Sequence, residues 1–356
     1  MQRIVSRGTL VERYGVAMHF EFPAIDPVLI DLPGPIDVRY FGLLFVLSFL
    51  AAWWILVRLA RARFWPGSAG TAWELILWSV VGVVVGGRLG FALLYDSSLL
   101  NPARLVELWR GGISFHGGVL GVAVVLWVFA RRRGLEFPRI MDCAALVVTP
   151  GIFLVGIANF INGDLYGKAT SADTWGAMQF PTDRLALHNM GLTLLGDQRT
   201  IELGVQCAYG RVPWTEIRNR FPKTYPSGRP IAWEEKLDWA AVRRHRDLVP
   251  FRHPTQLYEA VGEGLLLGLI LGGLYRATRA TPLAAGGYCA WFLVGAGALR
   301  FGLEFLRDPA QSEGDAAQTG GLTTALSTGQ VLCAFMILIG GFILSRRRRS
   351  SGSDGR

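Results

Sequence analysis

Two carboxamides and a carboxylate, Asn159, Asn162 and Asp164, close an apolar run that begins at Cys143. Polar groups at the edge of a bilayer need partners or a task. Other polar side chains interrupt apolar runs in the same way. Arg88 lies in Gly86-Gly87-Arg88-Leu89-Gly90, and His116 precedes Gly117-Gly118. His253 leads into Pro254-Thr255-Gln256, and Arg300 and Glu304 are spaced i, i+4. Arginine offers a fork of donors matched to phosphate oxygens. Histidine can take a proton near neutral pH, and carboxylates orient both. Gathered together, these groups describe a site for an anionic phospholipid head group with a proton acceptor.

Each residue also has a structural reading. Arg300 and Glu304 share a helix face and can neutralise each other. Arg88 can snorkel to an interface, with its glycines serving close helix packing. His116 can be an interfacial histidine, although Gly117 and Gly118 can open backbone N–H groups to a ligand. Asn159 and Asn162 can bond between helices, and His253-Pro254 can be a helix start.

The elements that carry these residues belong to a membrane. The chain is 51% hydrophobic and 18% charged, with a mean hydropathy of +0.34. Apolar blocks at 38–57, 73–95, 113–130, 143–162, 257–275, 286–306 and 331–344 are near bilayer length, except that the last is short and can be lengthened by Leu326 and Val331. The expected architecture is therefore an all-α polytopic membrane protein of about seven transmembrane helices. Arginines cluster after the first, third, fifth and seventh blocks, which places the N-terminus outside and the C-terminus in the cytoplasm. The domain reading is an N-terminal segment 1–37, helices one to four in 38–162, an extracytoplasmic loop domain 163–252, helices five to seven in 253–345 and a tail 346–356. The net charge of +9 follows span ends and one loop, so it suits anionic lipid rather than nucleic acid. The four cysteines show no metal spacing; three lie in apolar runs and Cys207 stands alone in the loop. No cleavable signal peptide and no internal repeat is visible.

With the motifs in place, the chain resembles the prolipoprotein diacylglyceryl transferase family of bacterial lipoprotein maturation. The matching strings are Ile25-Asp26-Pro27, Arg39-Tyr40-Phe41-Gly42, 86–90, 116–121, 159–167, 253–259 and 300–309. They occur in the family's order and span nearly the whole membrane part. The resemblance implies transfer of a diacylglyceryl group from phosphatidylglycerol to the lipobox cysteine of preprolipoprotein signal peptides. It implies no metal or other cofactor, an inner-membrane location and a site facing the outer leaflet. It assigns His116 as base, Arg300 as phosphate clamp and Glu304 as the orienter of Arg300. Asn159 and Asp164 join the catalytic set, and Tyr40, Arg88, Gly117, Gly118, Asn162, Gly167 and His253 are expected to line the substrate. Some positions depart from the pattern: Gly156 stands for an arginine, Asp164 for a glutamate, Phe41 for a tyrosine and Ala296 for a tyrosine. Arg88, Arg184 or Arg252 could supply the missing charge. A related phospholipid-dependent transferase with a changed substrate, or a non-catalytic lipid- or lipoprotein-binding protein, stays open on the residues alone.

Overall fold

The computed structural model describes residues 19–23, 25–30, 38–94, 97–107, 114–180, 183, 249–308 and 327–353. Most of the expected loop domain, including Arg184 and Cys207, and most of the N-terminal segment lie outside the described residues, as does the tail beyond 353.

A helix covers every apolar block. These are α1 Tyr40–Arg61, α2 Ala69–Leu94, α3 Phe115–Arg133, α4 Phe137–Asn162, α5 Thr255–Ala277, α6 Gly287–Glu304 and α7 Thr328–Ser353. Five of them, α1, α2, α4, α5 and α7, are long and apolar enough to cross a membrane. The two that fall outside that set are α3 and α6, which carry His116 and Arg300. Short strands qualify the all-α expectation. β1 Val28–Ile30 pairs antiparallel with β2 Val38–Arg39, and β3 Met178–Gln179 with β4 Phe251–Arg252.

The chain divides into two compact units. The first draws on Met1–Asp26, Asn159–Leu257 and Leu306–Gly314, and the second on Pro27–Ala158, Tyr258–Phe305 and Asp315–Arg356. In the helical unit, Leu56, Leu59, Phe64, Trp65, Ile140 and Tyr288 are part of one buried core. The smaller unit has its own aromatic core of Phe160, Tyr166, Met178 and Phe180, with Phe22 and Leu257 against it. Tyr166 stacks on Phe180 with ring centroids 5.4 Å apart.

Glycines set the closest helix contact. A Cβ at Gly86 would lie 2.8 Å from Gly121 Cα, and one at Gly90 would lie 2.6 Å from Gly117 Cα. The backbones of α2 and α3 thus touch, as small residues permit in lipid. The start of α3 is fastened to α2 as well, since Ser114 N donates to Gly87 O at 2.8 Å.

Candidate active site

Arg300 is the centre of the helical unit's polar cluster. Its Nη1 lies 2.8 Å from Glu259 Oε1 and 3.6 Å from Glu263 Oε1. Both carboxylates come from α5, where they are spaced i, i+4. Glu259 closes the 253–259 string, and Glu263 lies four residues beyond it. The i, i+4 spacing of two acids inside an apolar run was the available signal. A π-helical segment, Ala260–Leu266, begins directly after Glu259 and contains Glu263. Such segments are rare and frequent at functional sites.

The expected orienter, Glu304, has another attachment. Ser327 Oγ donates to Glu304 Oε1 at 3.2 Å. Ser327 also caps α7: its Oγ accepts from Gln330 N at 3.1 Å and its N donates to Gln330 Oε1 at 3.0 Å. This reciprocal pair satisfies backbone donors at the helix start. Glu304 therefore holds the α6 end to the α7 cap, while the ion pairs of Arg300 go to Glu259 and Glu263. The i, i+4 neighbour on the same helix is not the closest partner.

Arg88, expected at the substrate, is held by backbone carbonyls. It is 3% exposed. Its Nε donates to Leu105 O at 3.0 Å, and its Nη2 donates to Arg104 O at 2.7 Å and Glu107 O at 3.1 Å. Two of these carbonyls belong to a one-turn helix, Pro102–Leu105, and the third lies two residues past its end. The guanidinium thus secures the α2–α3 connection.

His116 is exposed in the first turn of α3. The glycines after it do not open free N–H groups. Gly117 N donates to Ser114 Oγ at 3.3 Å and Gly118 N to Ser114 O at 3.0 Å. Gly117 faces α2, where a Cβ would collide with Gly86 O. Tyr40 is half-buried at the first position of α1, and its N–H donates to Pro27 O at 3.1 Å.

The remaining expected residues belong to the smaller unit. Gly163, at φ +68°, ends α4. Its N–H donates to Phe160 O at 3.0 Å, and Asp164 N donates to Asn159 O at 3.0 Å. That bond pair is the Schellman arrangement, which needs a left-handed residue and favours glycine. Asp164 is exposed, and its carbonyl accepts from Gln256 Nε2 at 2.6 Å. Asn162 Oδ1 and Gln256 Oε1 are buried without a hydrogen-bond partner among the described residues. Gly167 serves chain passage: its N–H donates to His253 O at 2.8 Å, and a Cβ there would lie 2.5 Å from Leu306 O. Burial pushes the His253 imidazole below the ordinary histidine value.

Arg252, weighed as a substitute cation, is spoken for. It is 4% exposed and bonds Asp183 through Nε. Its Nη1 bonds Asp308 Oδ2 at 2.7 Å, and its guanidinium lies over the Tyr166 ring at 4.8 Å. Burial opposes its charge, but Asp183, Tyr166 and Asp308 outweigh that and hold it above the ordinary arginine value. Gly156 is buried within α4.

A family model described as prolipoprotein diacylglyceryl transferase matches residues 27–346. The chain belongs to the prolipoprotein diacylglyceryl transferase family. It is 33% identical over 340 residues to the phosphatidylglycerol–prolipoprotein diacylglyceryl transferase of Nitratidesulfovibrio vulgaris strain DP4, covering 94% of this chain and 97% of the relative. It is 33% identical over 339 residues to the enzyme of that name from Rhodospirillum rubrum, with 94% and 97% covered. The corresponding enzyme of Rhizobium leguminosarum bv. trifolii is 33% identical over 340 residues, with 93% and 94% covered. The polar strings at 86–90, 116–121, 159–167, 253–259 and 300–309 all lie inside the family match. The geometry sorts them into two kinds. Arg88, Gly117 and Gly167 build the scaffold of this family member, and Arg300 with Glu259 and Glu263 forms a charged cluster.

Proposed function

We propose that this chain transfers the diacylglyceryl group of phosphatidylglycerol to the lipobox cysteine thiol of preprolipoprotein signal peptides. The cysteine sulfur attacks the glyceryl carbon, forming a C–S bond. The C–O bond to phosphate breaks, and glycerol phosphate leaves with the electron pair. The thiol proton goes to a base, and His116, exposed at the start of α3, is assigned that role. Arg300 faces the phosphate, whose charge grows as the bond breaks. Asn159 and Asp164 are assigned to the catalytic set, and His253 and Asn162 to substrate binding. On this reading all seven helices span the inner membrane. The N-terminus is outside, the C-terminus is cytoplasmic, and the 163–252 region is an outer-face domain.

The observation that carries the reading is the Arg300 guanidinium, set among carboxylates on apolar helices inside the family-matching region. Such a group is costly to hold in lipid without a task. The buried Gly156, where the family resemblance expects arginine, favours a second reading in which the donor lipid differs. Purified protein supplied with acyl-labelled phosphatidylglycerol and a lipobox peptide separates the two. Thioether-linked product that disappears in His116→Ala supports the first. Transfer from another phospholipid in preference to phosphatidylglycerol supports the second. Anionic-lipid binding with no product from any donor would sink both.

A further inference from the structure

The carboxylates at Arg300 differ in how they hold it. Glu259 Oε1 makes the closer ion pair, at 2.8 Å. Glu263 Oε1 reaches the same nitrogen, Nη1, but stops at 3.6 Å. Glu263 is 8% exposed, and this oxygen has no hydrogen-bond partner among the described residues. A buried carboxylate oxygen held only by a long ion pair is poorly satisfied. The surroundings offer it little else. Arg300 and Glu304 face it from α6, Glu259 from its own helix, and Cys333 of α7 lies within the field of Arg300, Glu304 and Glu263. From α4, the groups packed on this stretch of α5 are Phe153 against Gly264 and Thr149 against Gly268.

We propose that Glu263 is a positioning residue that competes with phosphate for Arg300. Glu259 aims the guanidinium, while Glu263 occupies part of its donor capacity loosely enough to be displaced. The competition rests on the proposed transfer reaction. It weakens the hold on the donor's phosphodiester and, more usefully, on the departing glycerol phosphate. Product release often limits turnover, and a dianion on a partly desolvated arginine would otherwise leave slowly. A nearby opposite charge changes the energy of an ionised group by an amount equivalent to about tenfold or more in affinity.

The test uses the full chain in nanodiscs and sn-glycerol 1-phosphate as probe, with binding followed by calorimetry and transfer by peptide lipidation. Glu263→Gln tightens glycerol phosphate binding by about tenfold. It lowers KM for phosphatidylglycerol and lowers kcat, leaving KM for the peptide unchanged. Glu259→Gln does the reverse to the lipid, raising its KM as the aim of Arg300 is lost. Glu263→Asp draws the carboxylate back by one methylene and shifts binding in the same direction by a smaller factor; it decides the matter if the glutamine variant does not fold. Unchanged or weaker glycerol phosphate binding in both Glu263 variants overturns the proposal. Because binding is read without turnover, the two ideas fail separately. A chain that binds as expected but transfers nothing refutes the reaction, and one that transfers normally with unaltered binding refutes the competition.

Discussion

Arg139 and Arg300 both lie half-buried beside carboxylates in the helical unit, yet their surroundings are built to different ends. Asp142, 0% exposed, accepts from Arg139 Nη1 at 3.1 Å, from Gly286 N at 2.7 Å and from Cys289 N at 3.0 Å. Gly286 is the N-cap of α6 and makes no side-chain cap bond. A carboxylate from α4 thus caps another helix, satisfying donors that a helix start leaves free. Arg139 completes its own set with Leu283 O, at 3.2 Å from both Nη1 and Nη2, and with the face of Phe64 at 4.8 Å. Here one acid meets one base, and both carboxylate oxygens have donors. At Arg300 two acids share one nitrogen, and the second of them stops at 3.6 Å. The first arrangement fixes helices; the second leaves a cation able to exchange partners.

If the contrast holds, breaking each cluster has a different readout. Asp142→Ala removes the α6 cap and strands Arg139, and should lower unfolding stability by about 3–5 kcal/mol. The turnover of the protein that remains folded should be little changed. A thermal or SDS-unfolding series alongside peptide lipidation measures both. Arg300→Ala should do the opposite, cutting transfer by about a hundredfold or more with a smaller loss of stability. Equal losses of transfer from the two variants would erase the distinction. Arg88→Lys keeps the charge but loses the fork that holds three carbonyls. The expected result is about 1–2 kcal/mol of stability, with KM for phosphatidylglycerol intact; a raised KM would return Arg88 to the substrate site.

The smallest effect concerns His253. Burial favours its neutral ring, so its folded value lies below the unfolded one. Above about pH 6.5 the ring is neutral in both states and contributes no penalty. As pH falls below that, the unfolded chain takes up the proton first, and stability declines until the folded ring is protonated too. His253→Gln should flatten this acid-side slope by less than about 1 kcal/mol, measurable as the shift in unfolding midpoint between neutral and mildly acidic buffer.

Much of this was legible from residue types. The apolar blocks located every long helix, and Arg300 stood out because an arginine inside such a block needs a reason. Edges were less legible. The fourth block was read from 143, whereas α4 starts at Phe137 and takes in Arg139 and Asp142. Those charges look like loop residues until the donors at 283–289 are known, and no spacing rule connects them. The same limit hid Glu259 and Glu263 as partners of Arg300, since local periodicity pairs Arg300 with Glu304. The acceptors of Arg88 are backbone carbonyls, which carry no signature in sequence. Gly117 and Gly167 admit close neighbouring backbone, which residue type alone does not disclose.

The π-helical stretch in α5 has a consequence for helical phase. An α-helix advances about 100° per residue, and a wider turn accommodates one residue more than that pitch allows. The part of α5 that bears Glu259 is therefore rotated relative to the Leu267–Ala277 part by an angle that an uninterrupted helix would not give. Were Ala260–Leu266 wound as a regular α-helix with no residue removed, that accommodation would be lost. With the later turns anchored, Glu259 would then swing around the axis by about 100°, carrying its carboxylate away from Arg300 without any change of side chain.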